Sequence, residues 1–501
     1  MFPYEFLEGN IMTFSRSSAL RLSAQFAVAF VVTVGAVIQP VWSQTTSNAG
    51  AKIDPILVSF ARGESNQKVT SIFIVLQNMS ENLRAPTRYR HDEVVTYLRQ
   101  ASMATKAKYD AYLSKIPNLR ENMRPHRFYV STLTYSAVVT PEGLRIAAQG
   151  PGVVKIYGNR RMERDPSSKP SEMRVIREAQ YPYDWLDTQR DQMEKAFPQI
   201  NGDGVLLGSV DTGVDATHPG LQGKIKLFYD GEKHAIGTPR DMDTHGTHTI
   251  GTMIGNGKDG APMGMAPKAF MIAAAGLAGY DVMLESMDFM LDPDKNPSTA
   301  DYPRAVNNSW HAGGAPDMEL FYRAVNAWEA AGILPIFSAG NAGPKDGTIT
   351  RPKEHPAAFA VAATGENGKA TNFSSRGPAV FNGQKIEKPN LSAPGNNIVS
   401  TMPGGKYASM SGTSMAAPHV TGASALLYQI NPKLTPVQVR TIFMQSATAV
   451  DEDGNPASAR VWNKVYGLGK LNILNAVKMV QAMSQRMLGL ETFMDQHLAS
   501  P

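Results

Sequence analysis

Downstream of residue 205, short apolar runs alternate with longer amphipathic stretches. Residues 205–210, 270–275, 305–309, 333–338 and 359–363 read as short buried strands, as expected of a parallel sheet covered on both sides. Over 317–331, Leu320, Ala324 and Trp328 recur at helical spacing, and Gly332 stands where such a helix ends. The alternation predicts an α/β domain with helices on both faces of a mostly parallel sheet. Such sheets carry their active sites beyond the carboxyl ends of the strands.

Upstream the pattern differs. Residues 70–76 read as a strand, and 91–116 as a helix with Val94, Val95, Leu98, Tyr109 and Leu113 on one face, ended by Pro117. The β-branched and aromatic run 128–139, a helix over 141–148 and a strand over 153–157 complete a βαββαβ order. The basic stretch 160–177, with Pro166, Pro170 and several serines, has the composition of an exposed linker. At the start, Arg16 and Arg21 precede an uncharged apolar run, 26–38, and Val41-Trp42-Ser43 precede Gln44. This is the layout of a signal peptide over 1–43, with an apolar run shorter than the roughly 20 residues of a membrane span.

Composition narrows the chemistry. The 501 residues are 42% hydrophobic and 19% charged, room for about two to three globular domains. The net charge of +5 is scattered, without the long basic block that tracks phosphates, so a nucleic-acid partner gains no support. The absence of cysteine excludes disulfides, thiolate nucleophiles and Cys-ligated metal.

Three polar motifs remain. In Ser209-Val210-Asp211-Thr212-Gly213 a strand delivers a carboxylate into a glycine turn. The same Asp-Thr-Gly triplet marks aspartic proteases, but their chemistry needs a second carboxylate motif, which this chain lacks. In Asp243-Thr244-His245-Gly246-Thr247-His248 small residues open a buried helix. A zinc pair at His245 and His248 would lack the glutamate of a metalloprotease helix, whereas one histidine at a helix start suits general-base work near neutrality. In Ser411-Gly412-Thr413-Ser414-Met415-Ala416-Ala417-Pro418 a serine begins a helix among residues small enough to let a substrate approach. Ser414 is either a helix cap or a nucleophile beside a positive helix end.

In the order Asp, His, Ser these segments resemble the catalytic set of the subtilisin-like serine proteases. The resemblance spans about 205–477 and includes Gly264-Met265-Ala266-Pro267, Ser338-Ala339-Gly340-Asn341, Asn372-Phe373-Ser374-Ser375-Arg376-Gly377-Pro378 and Ser392-Ala393-Pro394-Gly395. Asn307-Asn308-Ser309-Trp310 makes it look most like the bacillopeptidase F-like members. The resemblance implies a three-layer α/β catalytic domain with a mostly parallel sheet, preceded by a ferredoxin-like α+β prodomain that inhibits it. The implied division is a signal peptide at 1–43, an inhibitory prosegment at 44–164, a processing linker and mature N-terminus at 165–200, the catalytic domain at 201–485 and a tail at 486–501.

The roles it implies are Ser414 as nucleophile, His245 as general base and acid, Asp211 as the group that orients the imidazole, and Asn341 as oxyanion donor. Ser309, Trp310 and Gly340 would contact substrate, which would lie as an added strand between that region and 277–280. The implied partners are protein or peptide substrates and the chain's own prosegment, with no stable membrane insertion once the signal is removed. The location is secreted or periplasmic.

Two positions depart from the family pattern. His311-Ala312 stand before Gly313-Gly314, where the family commonly has glycine at once, which alters the specificity pocket. Gly220 and Lys258 replace expected calcium ligands, so no metal site is assigned even with Asp259 nearby, and no cofactor is required for the chemistry. A catalytically silent member of the fold, or a relative with glutamate in place of the histidine, is disfavoured by the complete set Asp211, His245, Asn341 and Ser414.

Overall fold

The computed structural model describes residues 52–81, 83, 85–163, 183–257, 260, 263–312 and 318–498. The signal peptide, most of the linker, Lys258, Asp259, Gly313 and Gly314 lie outside the described residues.

The first part contains β1 (Lys52–Ile53), β2 (Thr70–Leu76), α1 (His91–Leu113), β3 (Met123–Tyr129), β4 (Thr134–Val139), α2 (Pro141–Gln149) and β5 (Val153–Gly158). From β2 onward this is the βαββαβ order. The sheet runs β1-β5-β2-β4-β3, with β2 antiparallel to both neighbours, Ile72 opposite Ala137 and Ile74 opposite Ile156. Ile72, Ile74 and Leu76 meet Tyr109 and Leu113 of α1 and Leu144 of α2 in one apolar cluster, which is the face that strand alternation and helix period jointly create.

The run 128–139, continuous by composition, is a hairpin. Its turn holds Leu133 at φ 52°, and the Val130 and Ser131 N–H groups donate to the Asp288 carboxylate at 2.8 and 2.9 Å. The turn is stabilised by a residue more than 150 positions away, which no local pattern can signal.

The second part is built on an eight-stranded sheet. Its elements are β7 (Leu206–Asp211), β8 (Ile225–Asp230), β9 (Ala235–Ile236), α3 (His245–Ile254), β10 (Phe270–Ala275), α4 (Tyr280–Leu291), β11 (Ala305–Asn308), α5 (Glu319–Ala330), β13 (Leu334–Ser338), β14 (Phe359–Thr364) and β15 (Leu391–Pro394). After the hairpin β16 (Ile398–Met402) and β17 (Lys406–Met410) comes the central helix α6 (Thr413–Ile430). Two short strands, β6 (Met162–Glu163) and β12 (His311–Ala312), pair apart from this sheet.

The order is β15-β14-β13-β11-β7-β10-β8-β9, parallel except for the edge strand β9. Ile250 and Met253 of α3 and Val420, Ala423 and Leu426 of α6 share one core with Leu207, Met271, Ile336 and Val361 of the sheet. On the other layer α4 and α5 are tied by the Trp328 indole N–H donating to the Met287 carbonyl at 2.9 Å. The first part docks on this layer. Arg323 of α5 donates to the Leu76 carbonyl at 2.6 Å, Arg127 pairs with Glu285 at 2.7 Å, and Phe73 lies against Tyr280.

Candidate active site

Asp211 ends β7, where the chain leaves the sheet through Gly213 at φ 117°. A Cβ at residue 213 would sit 2.1 Å from the Arg240 carbonyl, so both backbone angle and space demand glycine. The Asp211 carboxylate is buried and held from three sides. Oδ1 accepts from the Thr212 N–H at 2.7 Å and from His245 Nδ1 at 2.7 Å, and Oδ2 accepts from the Thr249 hydroxyl at 3.3 Å. This bond places the imidazole proton on Nδ1 and leaves Nε2 as the basic nitrogen.

His245 is the first residue of α3, and a buried brace fixes that start. The Gly246 N–H donates to the Thr212 hydroxyl at 2.8 Å, and Asp241 accepts from the Thr212 hydroxyl at 2.7 Å and from the Thr247 N–H at 2.8 Å. No sequence pattern signals Asp241, which stands outside the motif and reaches Thr212 and Thr247 only through the folded chain. One turn on, His248 points Nε2 at the carbonyls of Ile398 and Ala408 at 3.0 and 3.2 Å. Burial, helped by the neighbouring His245, pushes it down to about 3, so it stays neutral and fastens α3 to the β16–β17 hairpin.

Ser414 lies in the first turn of α6, beside Asn341. Asn341 Oδ1 accepts from the Thr413 N–H at 2.8 Å and the Thr413 hydroxyl at 2.9 Å, which settles the orientation of the amide. Its Nδ2 is thereby turned toward Gly412, 3.3 Å from where a Cβ on that glycine would sit. Both Asn341 Nδ2 and the Ser414 hydroxyl are buried without a hydrogen-bond partner. Buried donors left open in this way are costly in a finished protein and mark a place built to receive another group. The Gly340 N–H donates to the Thr413 hydroxyl at 3.0 Å, and Gly340 itself has φ 108°.

Two of the expected substrate contacts, Ser309 and Trp310, have buried side chains. The Ser309 hydroxyl is buried and donates to the Ser414 carbonyl at 3.0 Å, so it positions the nucleophile's turn. The Trp310 side chain is 0% exposed, edge-on to Phe337 at 5.3 Å and near Phe321, and belongs to the core. A large indole on a chain leaving a buried strand gains more from apolar packing than from a cleft wall.

The peptide beyond Trp310 is what meets an extended chain. β12 pairs antiparallel with β6, His311 opposite Glu163 and Ala312 opposite Met162. On the other side of that segment, the Met162 N–H donates to the Ala278 carbonyl at 2.8 Å and the Tyr280 N–H to the Arg160 carbonyl at 3.0 Å. Residues 160–163 thus form the middle strand between 278–280 and 311–312. Met162 lines a cavity with Thr212, Met242, Asp243, Ala275 and Leu277. From Met162 to Glu163 the strand runs antiparallel to β12, in the direction of Trp310 and Ser309, whose hydroxyl holds the Ser414 turn.

A carboxylate-oriented imidazole, an open serine and an open amide donor at the end of a strand-binding groove define a serine-type endopeptidase. The family model described as the Subtilase family matches residues 202–469. The chain belongs to that family. It is 34% identical to Bacillopeptidase F of Bacillus subtilis (strain 168) over 430 residues, 79% of this chain and 29% of that protein. It is 31% identical to Subtilisin Savinase of Lederbergia lenta over 285 residues, 54% of this chain and 90% of the relative. Serine protease AprX of Bacillus subtilis (strain 168) is 30% identical over 380 residues, 68% of this chain and 78% of the relative. The chain spans less than a third of the length of Bacillopeptidase F.

Proposed function

We propose that this chain is an exported endopeptidase that hydrolyses peptide bonds in proteins through an acyl-enzyme on Ser414, and that it is made as a proenzyme inhibited by its residues 44–164. The observation that carries the reading is the position of 160–163 as the middle strand of the groove, heading for Ser414. An extended backbone paired on both sides is recognised whatever its side chains, which suits protein substrates.

In this reading the Ser414 hydroxyl oxygen attacks the substrate carbonyl carbon while its proton passes to His245 Nε2. The carbonyl oxygen becomes an oxyanion that accepts from Asn341 Nδ2 and the Ser414 N–H. The C–N bond then breaks as His245 returns the proton to the leaving amine, and water repeats the sequence on the acyl-enzyme. Asp211 holds the tautomer and stabilises the imidazolium. Asn341→Leu is expected to lower kcat about a hundred- to a thousandfold with little change in KM, the magnitude found for the equivalent donor in subtilisin. Steady-state kinetics check it, and an unchanged kcat removes Asn341 from the site.

The chemistry requires no cofactor. At the calcium position the Gly220 N–H is engaged with His218 Nδ1 at 3.0 Å, and no calcium site is proposed there. The export signal is read in 1–43, giving a secreted or periplasmic location, and no described helix is long and apolar enough to cross a membrane.

The prosegment reading is tested by processing. Wild-type enzyme purified after export is expected to begin near residues 165–180, and an added 44–164 fragment is expected to inhibit it. N-terminal sequencing and inhibition assays decide the matter. Active enzyme that retains 52–160 and ignores excess fragment would make this part a permanent domain.

A further inference from the structure

The nucleophile's helix holds a buried histidine that the mechanism does not use. His419 stands in α6, five residues past Ser414, and is 0% exposed. Its Nδ1 lies 2.8 Å from the Met415 carbonyl, and its Nε2 lies 3.0 Å from Oδ2 of Asp184, which is also buried. A carbonyl and a carboxylate only accept, so both ring nitrogens donate and the ring is an imidazolium paired with Asp184.

The pair bears on the turn that presents Ser414. Pro418 has no N–H, so the Ser414 carbonyl lacks its helical donor and accepts from the Ser309 hydroxyl at 3.0 Å instead. The Met415 carbonyl, next along, takes the His419 ring. Side chains thus hold the carbonyls of both residues. The far end of this support lies in another part of the chain. Asp184 belongs to the short helix Tyr183–Asp187, within the segment read as the mature N-terminus. The Thr188 hydroxyl donates to the Asp184 carbonyl at 2.7 Å, and the Ile473 N–H donates to the Thr188 carbonyl at 2.9 Å. Lys470 pairs with Asp187 at 3.0 Å, so the short helix is fastened to the body of the catalytic part.

We propose that Asp184 is a positioning residue for the nucleophile: it holds the His419 imidazolium against the first turn of α6, which makes the mature N-terminal segment a working part of the active site. This rests on the peptidase reading above. Desolvating an ion pair this deep is costly, and an apolar pair would fill the same space at less cost. What the ion pair supplies is a fixed ring and a positive charge at the helix end beside which the oxyanion forms. Processing must therefore spare residue 184, as a start near residues 165–180 does.

The test uses purified mature enzyme, with a fluorophosphonate counting its active sites. In Asp184→Asn an amide N–H can face Nε2, so both hydrogen bonds survive while the ring gives up its charge. Per labelled site, kcat is expected to fall by more than about fivefold with KM unchanged. NMR of enzyme carrying isotope-labelled histidine reads the ring directly, with the His419 signals assigned by their loss in His419→Gln. Both ring nitrogens are expected to bear protons at neutral pH in the wild type, and only one in Asp184→Asn. A side chain that merely filled space would move neither readout.

A labelled Asp184→Asn enzyme with a smaller loss of kcat overturns the proposal. A wild-type His419 ring that carries a single proton overturns it as well, and that measurement stands even where the variant fails to fold. Fully active mature enzyme that begins beyond residue 184 does the same. An enzyme that neither labels nor cuts any peptide refutes the peptidase reading itself, and the inference with it.

Discussion

Ser414→Ala is expected to lower kcat by about a millionfold, the scale seen when the nucleophile of subtilisin itself is removed. The Ser414 hydroxyl makes no hydrogen bond with the protein, so its loss breaks no network and leaves a gap smaller than one methylene. The α6 start remains held by Thr413 on Asn341 and by Ser309 on the Ser414 carbonyl, both of which survive the change. The variant should therefore fold with unaltered circular dichroism and melting temperature. It should also stay uncut between residues 160 and 180, because the cut is assigned to the same serine. Residual turnover above about a thousandth of wild type would place the nucleophile elsewhere.

The second large effect is expected at Asp211. Asp211→Asn keeps the size and most of the packing of the side chain but changes what His245 meets. In the wild type Oδ1 accepts from both Thr212 and His245, so an asparagine that keeps its oxygen there serves both but without the carboxylate's charge, and one that turns its NH2 there sets a donor against both. An amide donor facing Nδ1 drives the proton to Nε2, and the base then has no lone pair for Ser414. A loss of about ten thousandfold in kcat, with KM nearly unchanged, is the expected outcome near neutral pH. Activity within tenfold of wild type would remove Asp211 from the mechanism.

The parallel sheet was legible because its strands are buried on both faces and interrupted by amphipathic helices. The expected runs 270–275 and 359–363 fall on β10 and β14, the second one residue short. The motifs around Asp211, His245 and Ser414 were legible for another reason. Glycine and small residues are needed around each of them for turns and close approach, and these leave an unusual local composition. Contacts that act across the fold left no such trace. Asp241 braces the α3 start from outside the histidine motif, and Asp288 stabilises a turn in the first part that reads as an uninterrupted strand.

Ser309 and Trp310 show the same limit from the other side. Their segment does border the groove, but just after the fully buried β11 their side chains turn toward Ser414 and into the core. The strand pairing in the groove falls to His311 and Ala312, which depart from the family pattern and pair with the chain's own Glu163 and Met162.

The most direct test of the account is the site of fluorophosphonate labelling, mapped by peptide mass on the purified mature enzyme. An activated serine reacts where an ordinary one does not. The account predicts one adduct per chain, on Ser414, absent from Ser414→Ala and strongly slowed in Asp211→Asn. Peptidase activity from enzyme that carries no adduct on Ser414 would contradict it.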